Sequence, residues 1–152
     1  MGNTEDVSRY LRESRVDYEL RVLDESTRTS ALAAHALGCA ISEIAKSIVF
    51  VGPSTAVVVL SGDRRVDIDK LGGVAGDSLR VGTPEEVVES TGYRIGGVPP
   101  FPHRKGVSVL LDRSLGEHSR VWAAAGAPNA VFRIGTGDLT RLVGGDLKDL
   151  AI

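Results

Sequence analysis

The spacing of apolar residues near the start of the chain predicts a helix, a strand and a second helix. Thr4 precedes apolar positions that recur every three or four residues, which is typical of one helical face, and this helix should end before Asp17. Between positions 18 and 22 apolar and polar residues alternate, which predicts a half-buried strand. Thr29 and Gly38 then fit the N-cap and C-cap of a second helix.

The next apolar runs predict a β-hairpin. A short helix is expected from Ser42 towards Lys46, ahead of the runs at 48–51 and 56–60. The residues between these runs, 52–55, contain glycine and proline and are typical of a turn. We therefore expect two adjacent antiparallel strands.

The second half of the chain continues the mixed pattern. We expect a short helix over 66–71 and a strand over 79–81. Thr83 with Pro84 and Glu86 forms a capping signal, so Pro84–Ser90 should be helical. Three further strands and a closing helical turn are expected at 107–111, 120–124, 131–134 and 138–142.

The run Val107–Leu111 is apolar at nearly every position, which favours a place in the middle of the sheet. No repeat, linker or low-complexity tract divides the chain. The pattern predicts one α+β domain over 1–152, with a central mixed sheet flanked by short helices.

The stretch Gly92–His103 must be a shaped loop, because a glycine pair and three prolines within a dozen residues exclude a regular helix or central strand. Glycine lets a ligand approach the main chain closely, and proline fixes the backbone angle. Composition leaves two interpretations open. The loop is either the wall of a pocket or a tight connection between Ser90 and Val107.

Length and composition limit the class of protein. A chain of 152 residues can bury roughly two-thirds of its unfolded surface. Cys39 is the only cysteine, which excludes an intramolecular disulfide, and no Cys and His cluster suggests a metal or cofactor. The first residues are polar and acidic, and no apolar run approaches the ~20 residues that span a bilayer. We expect a soluble cytoplasmic protein without a membrane partner.

The charge distribution leaves room for only a small contact with nucleic acid. A net charge of −2 argues against a broad basic face. Positive residues nevertheless cluster in predicted loops, at Arg64-Arg65, at Arg94 and at Arg104-Lys105. They could contact a few phosphates of a strand end, or they could be solvated surface charges.

Several motifs together resemble one family, the YbaK/prolyl-tRNA-editing deacylases. They match in family order and cover almost the whole chain: Ile44–Phe50 with its lysine at a helix-to-strand junction, Leu60–Asp67, Ser90–Lys105 with the glycine loop, Val109–Asp112, Gly126 and Gly137–Leu139. The resemblance implies the α+β fold predicted above. It also implies a hydrolase that cuts the ester joining a wrong amino acid to the 3′ end of a tRNA, often prolyl-tRNA carrying a smaller residue.

An aminoacyl ester is already reactive, so an enzyme of this kind must chiefly position a water molecule and stabilise an oxyanion. The residues agree with that need. The chain lacks a Gly-x-Ser-x-Gly elbow and a His-Glu-x-x-His motif, and its three histidines stand in unrelated local contexts. A serine triad is therefore not expected.

Lys46 is the expected catalytic residue, because its ammonium could bind the substrate's carbonyl or terminal phosphate and favour negative charge in the transition state. A helix-end lysine could instead serve the helix dipole alone. The backbone of Gly96 and Gly97 is expected to supply oxyanion donors or a wall that limits the size of the amino acid. Four residues should hold that wall rigid and complete the substrate site: Val98, Pro99, Pro100 and Phe101.

Arg64, Arg104 and Lys105 are the expected contacts to tRNA phosphates. The partner is then the tRNA acceptor end, with an aminoacyl-tRNA synthetase as a second candidate partner. Two departures from the family pattern leave the amino acid open: Pro102 stands where many relatives carry glycine, and Ala124-Ala125-Gly126 where some carry Ser-Gly-Gly. Cysteine, alanine, serine, threonine and non-protein amino acids all remain candidates.

Two other functions are compatible with the sequence. The first is a non-catalytic module that binds a tRNA end or a synthetase. The second is a small-molecule enzyme that cradles phosphate in the glycine loop, although Gly92-x-x-x-Gly96-Gly97 matches neither the nucleotide P-loop nor the dinucleotide fingerprint. The presence of both Lys46 and the glycine loop favours a deacylase that acts in trans.

Overall fold

A mixed, unclosed sheet of seven strands forms the centre of the fold, as a computed structural model of residues 2–152 describes it. The strands are β1 (Tyr18–Val22), β2 (Ile44–Val51), β3 (Thr55–Ser61), β4 (Arg80–Val81), β5 (Val107–Leu111), β6 (Arg120–Ala124) and β7 (Ala130–Gly135). Within residues 2–152 five α-helices flank the sheet: α1 (Thr4–Ser14), α2 (Ser30–Leu37), α3 (Ile68–Ala75), α4 (Pro84–Thr91) and α5 (Thr136–Val143). The predicted α+β domain with a central mixed sheet is confirmed.

The strand order is β1-β7-β6-β2-β3-β5, and β4 pairs with part of β2. The pairs β2 with β6 and β3 with β5 are parallel, whereas the other pairs are antiparallel. The predicted hairpin is confirmed as β2 and β3, which pair from Ala45 with Ser61 to Val51 with Thr55. The long strand β2 therefore lies at the centre of the sheet.

Local capping explains why several helices begin where the sequence indicates. Thr83 accepts a hydrogen bond from the Glu86 backbone and Glu86 accepts one from Thr83, so the predicted capping box of α4 is confirmed. Thr29 and Gly38 cap α2 as expected. The predicted cap of α1 is wrong by one residue, because Asn3 rather than Thr4 accepts the hydrogen bond from the Asp6 backbone.

Two elements start or extend differently from the prediction. The helix expected over 66–71 begins at Ile68, since the Asp67 side chain caps it, and continues to Ala75. The helix expected from Ser42 towards Lys46 is wrong. Only Ile41–Glu43 form a short 3₁₀ turn, and Lys46 lies inside β2. The apolar run of β2 begins earlier than expected, because Ile44 and Ala45 already pair with β6.

The predicted central place of β5 is also wrong, because β5 pairs with β3 alone and ends the strand order. Its apolar side chains nevertheless pack on both faces of the sheet, where Leu111 lies in the main core and the partly buried Leu110 against a second cluster. Apolar side chains point to the faces of a sheet and not to its edges. The composition of β5 therefore reports two covered faces and carries no information about its free edge.

The sheet separates the core into a main part and two smaller clusters. Along β3 the buried Val57 and Val59 belong to the main core, while Val58 and Leu60 face a second cluster under α3. A third cluster joins α2 to Trp122 of β6 and Ile44 of β2. This last contact fixes α2 beside the point where β2 and β6 meet.

Candidate active site

The candidate site lies where the sheet opens along one edge of β2. On that edge β6 pairs only with Ile44 and Ala45, and β4 pairs only with Phe50 and Val51. The stretch between these pairs has no neighbouring strand within residues 2–152. On its other edge β2 pairs continuously with β3. A cleft of about 420 Å³ occupies the opening.

Four parts of the chain build the walls of this cleft. They are β2, α2 with the segment that leads into it, the glycine loop, and strands β6 and β7. With Gly62, which follows β3, they line the cleft through Thr27–Ser30, Ala33, Ile44–Ile48, Ile95, Gly96, Val98, Trp122–Ala124 and Val131. Among residues 2–152, the lining contains no carboxylate, histidine or cysteine. Its charged side chains in this part of the chain are those of Lys46 and Arg28.

Lys46 projects from β2 into the cleft, and its side chain is half-buried. Its Nζ donates a long hydrogen bond of 3.3 Å to the Gly62 carbonyl. Burial lowers the pKa of the Lys46 ammonium below its ordinary value, while Asp63 opposes this shift and Arg65 adds to it. A partly desolvated charge held by one weak neutral partner is free to bind an anionic or carbonyl oxygen.

Ser47 adds a second set of polar groups at the same place. The Val49 carbonyl accepts a hydrogen bond from the Gly82 backbone on the open edge, at 2.9 Å. Because alternate residues of a strand pair on the same edge, the N–H and C=O of Ser47 also point to that edge. Pairing with β6 stops at Ala45, so no strand within residues 2–152 satisfies them. The buried Ser47 hydroxyl also lacks a hydrogen-bond partner among these residues.

The glycine loop closes one side of the cleft. Gly96 has a positive φ of 83°, and a Cβ there would lie 2.5 Å from the Arg28 Cβ. A Cβ at Gly97 would lie 2.9 Å from the Ala127 backbone, and the Gly97 N–H already donates to the Arg94 carbonyl. Gly96 and Val98 line the cleft. The loop therefore packs so closely against its neighbours that side chains are excluded at both glycines.

The remaining loop residues support this wall from behind. Pro99, Pro100 and Phe101 are buried and do not line the cleft. The Phe101 ring packs against Tyr10 and Phe132, with ring centroids 4.8 and 5.6 Å away. The Nε2 of His103 donates to the Pro99 carbonyl at 2.7 Å. The loop is thus anchored to the main core on the side away from the cleft.

The predicted phosphate contacts lie at separate places. Arg64 is close to Gly62 at the cleft, but its guanidinium pairs with Glu117 at 3.1 Å. Arg104 donates to the Glu89 carbonyl, and neither Arg104 nor Lys105 lines the cleft. The structure brings Lys46, Gly96 and Val98 together and leaves these three cations outside. Their predicted contact with tRNA stays a prediction.

Sequence reasoning missed two polar residues of the cleft, Ser47 and Arg28. The position of Ser47 was visible as the one hydroxyl within the apolar run of β2. Its importance depends on strand pairing with β6 and β4, which no local pattern encodes. Arg28 stands in a loop, and only the close packing of Gly96 against it places it at the site.

Metal sites and membrane spans are two other classes of site that residues 2–152 can be compared with. No group of three His, Cys, Asp or Glu side chains comes together as a metal site would require. The helices in this part of the chain are all too short or too polar to cross a bilayer.

Comparison with known proteins identifies the family. The model of the aminoacyl-tRNA editing domain matches residues 24–142, which include every residue that lines the cleft. Uncharacterized protein YwhH of Bacillus subtilis is 35% identical over 113 residues, which are 73% of this chain and 72% of that protein. The proline--tRNA ligase of Thermosipho melanesiensis is 38% identical over 92 residues, which are 59% of this chain and only 16% of the ligase.

A solved structure is similar over nearly the whole chain. The crystal structure of "a putative trans-editing enzyme for prolyl tRNA synthetase" has a TM-score of 0.89 and 38% sequence identity, and the match covers 98% of this chain and 96% of that one. The resemblance that the motifs indicate is therefore confirmed. The chain belongs to the aminoacyl-tRNA editing domain family.

Proposed function

We propose that this protein hydrolyses the ester bond of mischarged aminoacyl-tRNA, acting in trans on prolyl-tRNA that carries a small, wrong amino acid. One observation carries the proposal: a half-buried lysine ammonium and an unpaired strand N–H face the same cleft, in a chain of the editing family. The similarity to an editing enzyme and to part of a proline--tRNA ligase supports the choice of prolyl-tRNA.

The reaction begins when water attacks the ester carbonyl carbon and the carbonyl oxygen takes up negative charge. Lys46 stabilises this oxygen with its ammonium, and the backbone N–H of Ser47 or Gly96 donates a hydrogen bond to it. The bond to the ribose oxygen then breaks, and that oxygen takes a proton. The products are the free amino acid and the uncharged tRNA.

The cleft lining offers no side chain that would act as a general base at neutral pH, because none of its residues within 2–152 is a carboxylate, histidine or cysteine. The proton of the attacking water must therefore pass to solvent or to a group of the substrate. Such a site suits an activated ester, whose hydrolysis needs positioning and charge stabilisation more than a strong base.

The walls of the cleft limit the size of the amino acid. Ala123, Ala124 and Val98 offer small apolar surfaces without side-chain hydrogen-bonding groups. A pocket of this kind separates neighbours that differ by one methylene by only about 1 to 3 kcal/mol. We expect several small amino acids to be removed at different rates, and cognate prolyl-tRNA to be hydrolysed more slowly.

A deacylation panel tests the proposal. The proline-specific tRNA is charged with alanine, cysteine, serine, threonine or proline and mixed with the protein. Release of the amino acid is then measured against spontaneous hydrolysis. We expect catalysed release of at least one wrong amino acid. Binding of the tRNA without release of any of them would instead favour the non-catalytic module.

Contacts from Arg64, Arg104 and Lys105 to tRNA phosphates are a separate part of the proposal. Alanine at each position should weaken tRNA binding and leave the order of preferred amino acids unchanged, since phosphate contacts carry no information about the ester. A change in that order would place the residue at the amino-acid site.

A further inference from the structure

A second cavity of about 680 Å³ adjoins the cleft and shares Arg28 and Ile95 with it. We call it the proline groove and define it by the residues that give it its chemistry: Arg28, Pro84, Val88, Arg94, Ile95 and Pro128. Ser26 and Glu85 complete its lining. Because two residues form part of both walls, a ligand that fills the cleft can continue into the groove.

The groove combines two cations with an apolar surface. The side chains of Arg28 and Arg94 are exposed, and neither makes an ion pair or hydrogen bond within residues 2–152. Ile95 follows Arg94 in the glycine loop and lines the same groove, and 52% of its surface is exposed. The guanidiniums outnumber the one carboxylate, Glu85.

This combination fits single-stranded nucleic acid. Proteins that bind such strands combine cations that follow the phosphates with side chains, usually aromatic, on which bases stack. Here the exposed aliphatic side chain of Ile95 offers the apolar contact. A folded protein partner would also accept an apolar groove, but it would have to leave the mouth of the cleft open for the substrate. An RNA strand whose end lies in the cleft must instead leave through the mouth of the cleft, and it would then run along the adjoining groove.

We propose that the proline groove binds the unpaired nucleotides that precede the terminal adenosine of the tRNA. Their phosphates contact Arg28 and Arg94, and one base rests on Ile95. This inference rests on the proposed function, because it assumes that the aminoacylated adenosine occupies the cleft.

Another arginine cluster offers a control. Arg21 and Arg133 lie over the Trp122 ring at the opposite end of α2, and both pair with Glu19. Both line a separate cavity beside the C-terminal end of α2, which Arg120 also lines, and Arg120 is exposed and makes no ion pair among residues 2–152. Arg120→Glu therefore changes the net charge as Arg94→Glu does, at a site outside the groove.

The test compares two substrates. Mischarged tRNA carries the preceding nucleotides, whereas the corresponding aminoacyl-adenosine lacks them. Arg94→Glu should lower kcat/KM for the tRNA about tenfold, as loss of one charged contact does. It should change kcat/KM for aminoacyl-adenosine less than twofold, because Arg94 lies outside the cleft. Arg120→Glu should leave both values within twofold, and Arg94→Lys should restore most of the activity.

Three results would overturn the inference: an Arg94→Glu variant with unchanged activity on tRNA, an equal loss on both substrates, or an equal loss in Arg120→Glu. A defect that appears only when a synthetase is added would identify a protein-docking surface instead.

RNA binding in the proline groove can be tested even if the proposed hydrolysis is wrong. If the wild-type protein hydrolyses neither substrate, binding of a short RNA ending in CCA still tests the groove by titration. Arg94→Ala should weaken this binding and reduce the magnitude of the salt slope by about 0.7, the value expected for one single-strand phosphate. Equal affinity and slope in wild type and variant would refute it.

Discussion

The two edges of β2 differ sharply, although they belong to one strand. Towards β3 every residue from Ala45 to Val51 is paired. Towards β6 and β4 the pairing stops after Ala45 and resumes at Phe50, and the polar groups of Ser47 are left without partners within residues 2–152. Buried polar groups are normally satisfied. The comparison shows that one edge of β2 is paired along its length, whereas the other leaves polar groups open, and the proposed function assigns these groups to the substrate.

The largest effect is expected from the charge at the open edge. Lys46→Ala should slow deacylation about 100-fold or more, the cost of removing one oxyanion donor. The free energy of unfolding should change little, because within residues 2–152 the Lys46 side chain makes a single, long hydrogen bond. Lys148→Ala is the matched control, since Lys148 does not line the cleft. Turnover of the Lys46→Ala variant within twofold of wild type would remove Lys46 from the mechanism.

The activity lost when a glycine is replaced by alanine should depend on what the added methyl group touches. Gly96→Ala combines a positive φ with a Cβ 2.5 Å from Arg28, whereas Gly106→Ala has a similar φ of 95° and open space. Gly96→Ala should therefore reduce deacylation strongly, and Gly106→Ala should cost only the backbone strain of about 1 kcal/mol. Thermal unfolding and turnover measured on both variants separate the two causes. Wild-type deacylation rates in Gly96→Ala would mean that the loop is only a connector.

Two strand serines allow the edges to be compared directly. Ser61 on β3 is buried and donates to the Ser114 carbonyl at 3.3 Å, whereas the buried Ser47 hydroxyl has no partner in residues 2–152. Ser61→Ala should lower the free energy of unfolding by about 1 kcal/mol, and Ser47→Ala should leave it unchanged or raise it slightly. Denaturant unfolding measures both. A larger loss of stability in Ser47→Ala would show that its hydroxyl serves the fold.

The smallest effect concerns proton binding by Lys46. Burial lowers the pKa of its ammonium below the ordinary 10.5. The folded state then binds this proton less readily than the unfolded state, so the contribution of Lys46 to stability rises with pH between its folded pKa and 10.5. Carbon-13 NMR of the lysine side chains should show one resonance titrating early, and Lys46→Met should remove it. Titration of that resonance at or above 10.5 would contradict the burial of Lys46.

Elements with local signals could be predicted from the sequence. The capping box of α4, the caps of α2 and the turn between β2 and β3 each depend on a few adjacent residues. The edge position of β5 could not be predicted, because apolar side chains report covered faces only. Lys46 was expected at the end of a helix, since nothing local shows that Ile44 and Ala45 pair with β6.

In the candidate site, too, residues in local motifs could be predicted from the sequence, whereas residues placed by non-local contacts could not. Lys46 and the glycine loop were found because they form recognisable motifs, and Gly96 and Val98 do reach the same cleft as Lys46. Ser47 and Arg28 were missed because their roles depend on non-local contacts. Ser47 lies beyond the last residue of β2 that pairs with β6, and Arg28 packs on Gly96 of the loop.

The most direct test of the open edge is NMR titration with an amide analogue of alanyl-adenosine, which cannot be hydrolysed as an ester. We predict the largest backbone amide shifts at Ser47 and Gly96, with Ser61 on the paired edge unaffected. Lys46→Met should weaken the binding of the analogue, and Lys148→Ala should not. Binding that leaves the Ser47 amide unchanged while shifting residues outside the cleft would contradict a substrate site at the open edge of β2.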